Sequence, residues 1–313
     1  MKAIRIHRYG GPEVLQLDDV PVPVAGDDEL LVRVKAAGVN PADWKIREGR
    51  LADRLAHTLP LTLGWDVAGV VEAVGASVTD FKPGDAIYAL PDVSRNGCYA
   101  EYVVMRASDA AHKPPTVSFV EAAGVPVSAL TAWKALFDEA GLQAGQRVLI
   151  HAGAGGVGGF GIQLAKHAGA HVIATASTEN FALLRLLGAD DVVDYTRENF
   201  IVRAPDVDVV FDTIGGDTQD RSWACLKPGG VLVSVVSEPD VETAQQHRAR
   251  GALVVVRPDG PRLAELARLI DAGIVTVVID DVYPLDAARE AHEHSETGHA
   301  RGKIVLQVSG EAD

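Results

Sequence analysis

RVLIHAGAGGVG, residues 147–158, joins a short apolar run directly to a cluster of glycines. Val148, Leu149 and Ile150 are apolar and partly β-branched, which suits a strand buried on both faces of a parallel sheet. Gly153, Gly155 and Gly158 complete a G-x-G-x-x-G. Beyond them Ile162, Ala165 and Ala168 are apolar while Gln163, Lys166 and His167 are polar, a three-and-four spacing that predicts an amphipathic helix. Strand, glycine turn and helix in this order suit a dinucleotide. The backbone can approach a pyrophosphate closely, and its charge meets free N–H groups and the positive end of the helix. The plainer alternative is a glycine turn that serves only helix-to-sheet packing, and the flanking strand and helix weigh against it.

Downstream, residues 171–176, 191–195, 208–212, 230–236 and 253–256 read as strands, with helical text such as 181–187 between several of them. This alternation builds a parallel sheet covered on both faces. The strand at 171–176 ends in Ser177 and Thr178, where an NAD-specific protein carries Asp or Glu. With no carboxylate at that strand end, nothing repels a 2′-phosphate and two hydroxyls can donate to it, so NADPH is the expected cofactor. Glu179 follows, and reads as a favourable acid in the first turn of the next helix in preference to a ribose-binding carboxylate.

Upstream, the text from residue 1 to 111 is β-rich, with runs at 2–7, 30–35, 67–74 and 86–90 separated by turn signals such as Gly10-Gly11-Pro12 and Lys82-Pro83-Gly84-Asp85. Apolar and basic residues alternate over 31–35, as in a half-exposed strand. Pro114-Pro115 marks a boundary, after which 118–138 reads as helical, split or kinked at Gly124 and Pro126. A helix at 261–272 is followed by strands at 274–281 and 303–308, read as the tail returning to complete the first domain. The fold class is therefore α/β with two domains: 1–122 with 274–313, and 123–273.

The 313 residues carry a formal charge of −14, which argues against nucleic acid and anionic membrane as partners. No apolar run is long enough to span a bilayer, and MKAIRIHRYG lacks the apolar core of a secretion signal, so a soluble cytoplasmic protein is expected. The two cysteines exclude a disulfide framework and a four-cysteine zinc site. Cys98, in an expected strand, and Cys225, near a helix end, read as buried thiols. His292, His294 and His299 stand among Glu293 and Glu296 and read as a solvated surface, not a metal site.

Several ordered motifs together carry a resemblance along nearly the whole chain. GVNPADWKIREG (38–49), LGWDVAGVVEAVG (63–75), FKPGDAIYAL (81–90), YAEYVV (99–104), LTAW (130–133), HAGAGGVG (151–158) and RGKIVL (301–306) resemble the medium-chain dehydrogenase/reductase superfamily. Within it they look like the zinc-independent quinone oxidoreductase and 2-alkenal reductase branch. The resemblance implies a GroES-like β-rich catalytic domain interrupted by a Rossmann doubly wound NADP(H)-binding domain. It further implies reduction of quinones or of the C=C bond of enals and enones, and a homodimer. Asn40 stands where zinc-dependent relatives place a ligand cysteine, Gly64-Trp65-Asp66 where they have Gly-His-Glu, and Ala42 where a hydroxyl relays protons. Asn and Trp are poor zinc ligands, so no metal and no alcohol oxidation are expected.

Hydride delivery to a conjugated carbon leaves charge on a carbonyl oxygen, which needs hydrogen-bond donors. Asn40 is the first candidate, for the nicotinamide ribose or the substrate oxygen. Lys45 is the second: it either stabilises or protonates the enolate, or is an exposed lysine at a helix start. Asp43 is read as fixing the loop or pairing with a base, and Trp44 and Trp65 as pocket wall or plain core. Ala154, Gly155, Gly156 and Val157 are expected along the pyrophosphate. Ser177, Thr178 and, by resemblance, Tyr195 are placed at the 2′-phosphate, with Thr131 toward the nicotinamide. Ile214 and Val236 follow strands whose carboxyl ends open on the crevice, and Lys303 is either near the cofactor or a solvent-facing strand lysine. Two other readings stay open: an NADPH-binding structural or regulatory protein with little turnover, and an enoyl-thioester reductase.

Overall fold

The computed structural model describes residues 1–55 and 57–309. Ala56, in the 49–63 loop, and 310–313, the end of the returning tail, lie outside the described residues. In chain order the first elements are β1 (Lys2–Ile6), β2 (Leu15–Asp19), β3 (Glu29–Val39), α1 (Pro41–Arg47), β4 (Leu61–Thr62), β5 (Asp66–Val74), β6 (Ala86–Ala89), β7 (Tyr102–Arg106) and β8 (Ala110–His112). They are followed by α2 (Phe119–Ala123), α3 (Pro126–Trp133), β9 (Arg147–Ile150), α4 (Gly156–His167), β10 (His171–Ala176), α5 (Phe181–Leu186), β11 (Asp191–Asp194) and α6 (Phe200–Arg203). Then come β12 (Val207–Asp212), α7 (Gly216–Ser222), β13 (Leu226–Ser234), α8 (Val241–Gln246), β14 (Arg250–Leu253), α9 (Gly260–Asp271), β15 (Ile279–Pro284), α10 (Ala288–Glu296) and β16 (Lys303–Gln307). The helical text at 118–138 breaks after α2, because Pro126 lacks the N–H that would continue the helix and instead opens α3.

Two compact units result: 1–127 with 257–273 and 277–313, and 128–256 with 274–276. In the first, β3 pairs with β5, β7 and β16 within a sheet of order β15-β16-β3-β5-β6-β8. Leu30, Val32 and Val34 are buried while Leu31 and Arg33 are partly exposed, the alternation of a half-covered strand. The expectation of exposure fails at Lys35, which is buried, because from there to Val39 both faces of β3 are covered. A smaller sheet, β2-β1-β4, completes the β-rich unit.

The tail joins the first unit, though not at the expected boundaries. Residues 274–276 stay with the second unit, where the Thr276 N–H donates to Gln163 Oε1 (2.8 Å), so β15 starts at Ile279. Helix α9, expected with the nucleotide-binding domain, groups with the first unit. Tyr88 donates its hydroxyl proton to Leu263 O, and a Cβ on Gly260 would sit 2.4 Å from Ser108 O, so the helix rests against the segment around β8.

The second unit is a parallel sheet of order β11-β10-β9-β12-β13-β14, the 3-2-1-4-5-6 order of a Rossmann fold counted from β9. Leu149, Ile173, Val193, Val210 and Leu232 pack with Trp223 in its core. The last strand lies at 250–253, three residues ahead of the apolar run expected to form it. It is an edge strand paired on one side only, so it does not require a continuous apolar run, and Val255 beyond it is exposed.

Candidate active site

The register of β9 carries His151 and Ala152 into the glycine turn. Ala152 has φ 49°, in the left-handed region. Such a conformation costs a residue with a side chain about 1–2 kcal/mol. It is held by Ala152 N–H donating to Thr175 Oγ1 (3.3 Å) and Gly153 N–H to Thr175 O (2.9 Å). The fingerprint glycines are needed for missing side chains, not for positive φ. A Cβ on Gly158 would lie 2.3 Å from Ala152 O and 2.9 Å from Gly153 Cα, and one on Gly153 2.9 Å from Ile162 Cδ1. At Gly155 the nearest atom would be Ala152 O at 3.4 Å, which leaves that side open.

Helix α4 starts there with Gly155 as its N-cap, and no side chain accepts from its first turn. The amides of Gly156 and Val157 are thus available to an anion, and Ala154, Gly155, Gly156 and Val157 are all partly exposed. An open cradle of unpaired amides at a helix N-terminus fits a dinucleotide pyrophosphate.

At the next strand the structure corrects the sequence reading. Parallel pairing sets Ala176 opposite Asp194, so a carboxylate from β11 reaches the end of β10. Thr178 donates its hydroxyl proton to Asp194 Oδ2, and Ser177 donates its own to Glu179 Oε1 (3.1 Å). The premise of a carboxylate-free strand end therefore does not hold, and neither hydroxyl is idle. Hydrogen bonds from Thr178, then Thr196, hold Asp194 down to about 2. Tyr195 is exposed beside them, its N–H on Ala176 O.

Ile214 and Val236 are exposed apolar side chains just beyond β12 and β13, at the carboxyl ends of the sheet, where such folds take ligands. Asp212, which the sequence reading passed over, shapes the turn that presents Ile214. It accepts from Ile214 N and Gly215 N (2.9 Å each), Gln219 Nε2 (3.0 Å) and Ser234 Oγ (2.8 Å). Thr131 lies in α3 and is 6% exposed.

In the first unit Asn40 meets Lys303 and Asp66. The Lys303 ammonium donates to Asn40 Oδ1 (2.5 Å) and Asp66 Oδ2 (3.1 Å), and Asn40 Nδ2 donates to Asp66 Oδ2 (2.9 Å). The other Asp66 oxygen accepts the Val127 N–H (2.6 Å). All three are buried, so Lys303 is not a solvent-facing lysine. Asn40 keeps one amide proton uncommitted by these bonds.

Asp43 fixes the Asn40 loop, as expected. Its Oδ2 accepts the Asn40 N–H (2.8 Å) and the Tyr99 hydroxyl (2.7 Å), and burial pushes its carboxyl up to about 7 against those two donors. Asp66 and Tyr99 were missed as site residues. The only signal was the third position of Gly64-Trp65-Asp66, read for the histidine it lacks and not for the acid it keeps.

Among the described residues no hydrogen bond or ion pair ties the Lys45 ammonium to this cluster. That ammonium lies 5.5 Å from the Trp44 ring centre, and burial, then Arg50, lowers its pKa. Lys45 sits in the last turn of α1, not at the helix start. Trp65 is core. Cys98 and Cys225 are buried thiols, with burial pushing Cys225 up to about 11, and Cys98 lies outside any strand. His292 corrects the reading of a solvated tail. It joins Ala288 and Ala291 on the buried face of α10, with Nδ1 on the guanidinium of the buried Arg47 (3.1 Å).

Comparison with known proteins places these features. Residues 26–116 match the family described as Alcohol dehydrogenase GroES-like domain, and 187–306 the one described as Zinc-binding dehydrogenase. The chain is 35% identical to Quinone-oxidoreductase QR1, chloroplastic, of Triphysaria versicolor, over 98% of each chain. It is 38% identical to the NADPH-dependent alkenal/one oxidoreductase, chloroplastic, of Arabidopsis thaliana, over 98% of this chain and 79% of that one. The chain belongs to the medium-chain dehydrogenase/reductase family, in its quinone oxidoreductase branch. A solved quinone oxidoreductase from Coxiella burnetii shares the fold at a TM-score of 0.92 and 38% identity, covering 99% of both chains.

For this medium-chain dehydrogenase/reductase the word zinc in the family description does not fit the donors present. The Asn40 and Asp66 oxygens already hold an ammonium ion, and among the described residues no three His, Cys, Asp or Glu converge.

Beneath the glycine turn, His151 is buried between Thr175 Oγ1 (3.2 Å) and Ser222 Oγ (2.9 Å), and burial pushes it down to about 4. Above about pH 6.5 the ring is neutral folded or unfolded. As pH falls toward 4, the unfolded chain takes up a proton that the folded one refuses. Stability therefore falls by up to about 1.4 kcal/mol per pH unit. Urea unfolding of the wild type against His151→Gln checks this: the wild type's advantage should shrink across that window, and a constant difference would remove His151 as the cause.

Proposed function

We propose that this protein is an NADPH-dependent oxidoreductase that reduces quinones or the C=C bond of α,β-unsaturated carbonyl compounds without zinc. The observation that carries the reading is the buried Asn40–Asp66–Lys303 cluster, a cation supplied by the chain itself where zinc-dependent relatives place metal ligands. Its supports are the amide cradle at Gly156 and Val157 and the names of the relatives, one of them NADPH-dependent. NADPH, when bound, supplies the hydride. The chain's own groups bind and orient. The α4 amides meet the pyrophosphate, with Ala154 lining it. Ser177, Thr178 and Tyr195 lie at the adenosine end, and Ile214 and Val236 wall the crevice, with Thr131 toward the nicotinamide.

Asn40 offers its remaining amide proton to the oxygen on which charge collects, and Lys303 on its carbonyl strengthens that donor. Lys45, carried by the helix that Asn40 caps, is a second proton source. Replacing Asn40 with Ala should lower kcat about 10- to 100-fold, with an unchanged circular dichroism spectrum. An unaltered rate would take Asn40 out of the chemistry.

We assign the protein to the cytoplasm as a homodimer. The exposed edge of β14, followed by Val255, supports the pairing, and sedimentation analysis would test it. Consumption of NADPH across quinones, enals, enones and acyl-thioesters tests the function. Turnover restricted to thioesters would make it an enoyl-thioester reductase. Tight NADPH binding with no turnover would make it a structural or regulatory protein.

A further inference from the structure

The end of β10 holds an arrangement that the choice of NADPH does not explain. In a doubly wound sheet the adenosine ribose lies at the end of the second strand, beside the glycine turn. Here that strand is β10, paired with β9 so that Ala174 faces Ile150, with Gly153 N–H on Thr175 O. Ser177, the first residue past β10, accepts from Asn180 Nδ2 (3.1 Å) and gives its only proton to Glu179 (3.1 Å). Thr178 gives its only proton to Asp194.

Both hydroxyl protons that would bind a 2′-phosphate are thus spent on carboxylates. The charges are not equally offset. Asp194 faces Arg197, whose Nε is 3.7 Å away, and it also accepts the Thr196 N–H (2.9 Å). Glu179 is exposed, and among the described residues no ion pair reaches it.

We propose that Glu179 is a specificity-determining residue that works against a 2′-phosphate and accepts a 2′-hydroxyl, so that NADH serves this protein alongside NADPH. The inference rests on the dinucleotide reading of the preceding subsection and deepens it. A ribose hydroxyl is a donor as well as an acceptor. It can give its proton to Glu179 while the Ser177–Asn180 contact stays in place. A phosphate dianion has no proton to give near neutral pH. To take a proton from Ser177 it must break the Ser177–Glu179 bond, and it then faces an uncompensated carboxylate at close range.

Dissociation constants for NADPH and NADH, measured by fluorescence titration of the wild-type chain and of Glu179→Gln, test this. The amide keeps the size of the side chain and removes its charge. The wild type should bind the two nucleotides within about tenfold of each other, and Glu179→Gln should tighten NADPH by about tenfold while loosening NADH by a smaller factor. Glu179→Lys should move the ratio further the same way. Equal changes for both nucleotides, or none, would overturn the role of Glu179 and leave the dinucleotide reading standing. If neither nucleotide binds the wild type, that reading falls and this inference falls with it.

Discussion

Lys303→Met should cost the first unit about 3–5 kcal/mol, the largest stability loss expected from a single substitution in this protein. The Lys303 side chain is 4% exposed and its ammonium lies against Asp66, which is fully buried. Removing it strands a carboxylate in a medium where water cannot solvate it, and leaves the Asn40 carbonyl without its donor. The double variant Asp66→Asn/Lys303→Met should recover most of the loss. The neutral amide introduced by Asp66→Asn still accepts the Val127 N–H through its oxygen, and replacing both members of a buried pair is often close to neutral. Urea denaturation of the three proteins decides the matter. If the single variant matches the wild type, the buried ion pair is not what holds Asn40. Activity should be lost in both variants, because each removes the charge behind the Asn40 amide.

Gly158→Ala should lower NADPH affinity by at least about a hundredfold, or about 2.7 kcal/mol, together with a fall in Tm. The added Cβ would meet Ala152 O at 2.3 Å and Gly153 Cα at 2.9 Å, both of them backbone atoms, so the turn itself must open. Gly155→Ala gives the contrasting case. Its Cβ meets nothing nearer than 3.4 Å, so Tm should hold while the methyl occupies space left for the pyrophosphate and binding weakens. Calorimetric titration with NADPH, paired with thermal melts, separates the two. Loss of Tm in both variants would mean that the turn is built for packing alone.

The nucleotide-binding half was legible because its signals are local. An apolar run, three glycines and an amphipathic stretch fall in one short segment, and the strand-helix alternation after it fixes a parallel sheet. Where the pattern misled, an edge was involved. Strand β14 pairs on one side only and carries no continuous apolar run, so the apolar residues just past it drew the expected boundary forward. The boundary at α9 failed for a related reason. A helix shows which of its faces is apolar, but not which sheet that face covers.

The candidate site divides in the same way. Asn40 and Lys303 were singled out separately, but nothing in either segment says that they touch, and Asp66 went unnoticed. The carboxylate on Thr178 comes from the neighbouring strand, and the partner of His292 is Arg47, on a distant helix.

The amino-acid sequence alone determined that one stretch turns from a strand into a helix around a cluster of glycines, and its resemblance to the family implied that the zinc-ligand residues are replaced. The turn follows from residue type and near-neighbour spacing, the replacement from motifs matched in order along the chain. Only the tertiary structure decided that Lys303 meets Asn40 and Asp66, that His292 is buried, and that the Asp194 carboxylate reaches the end of β10. Those are contacts between segments brought together by strand order and register, and the free energy of burying a charge depends on a partner that chain position does not reveal.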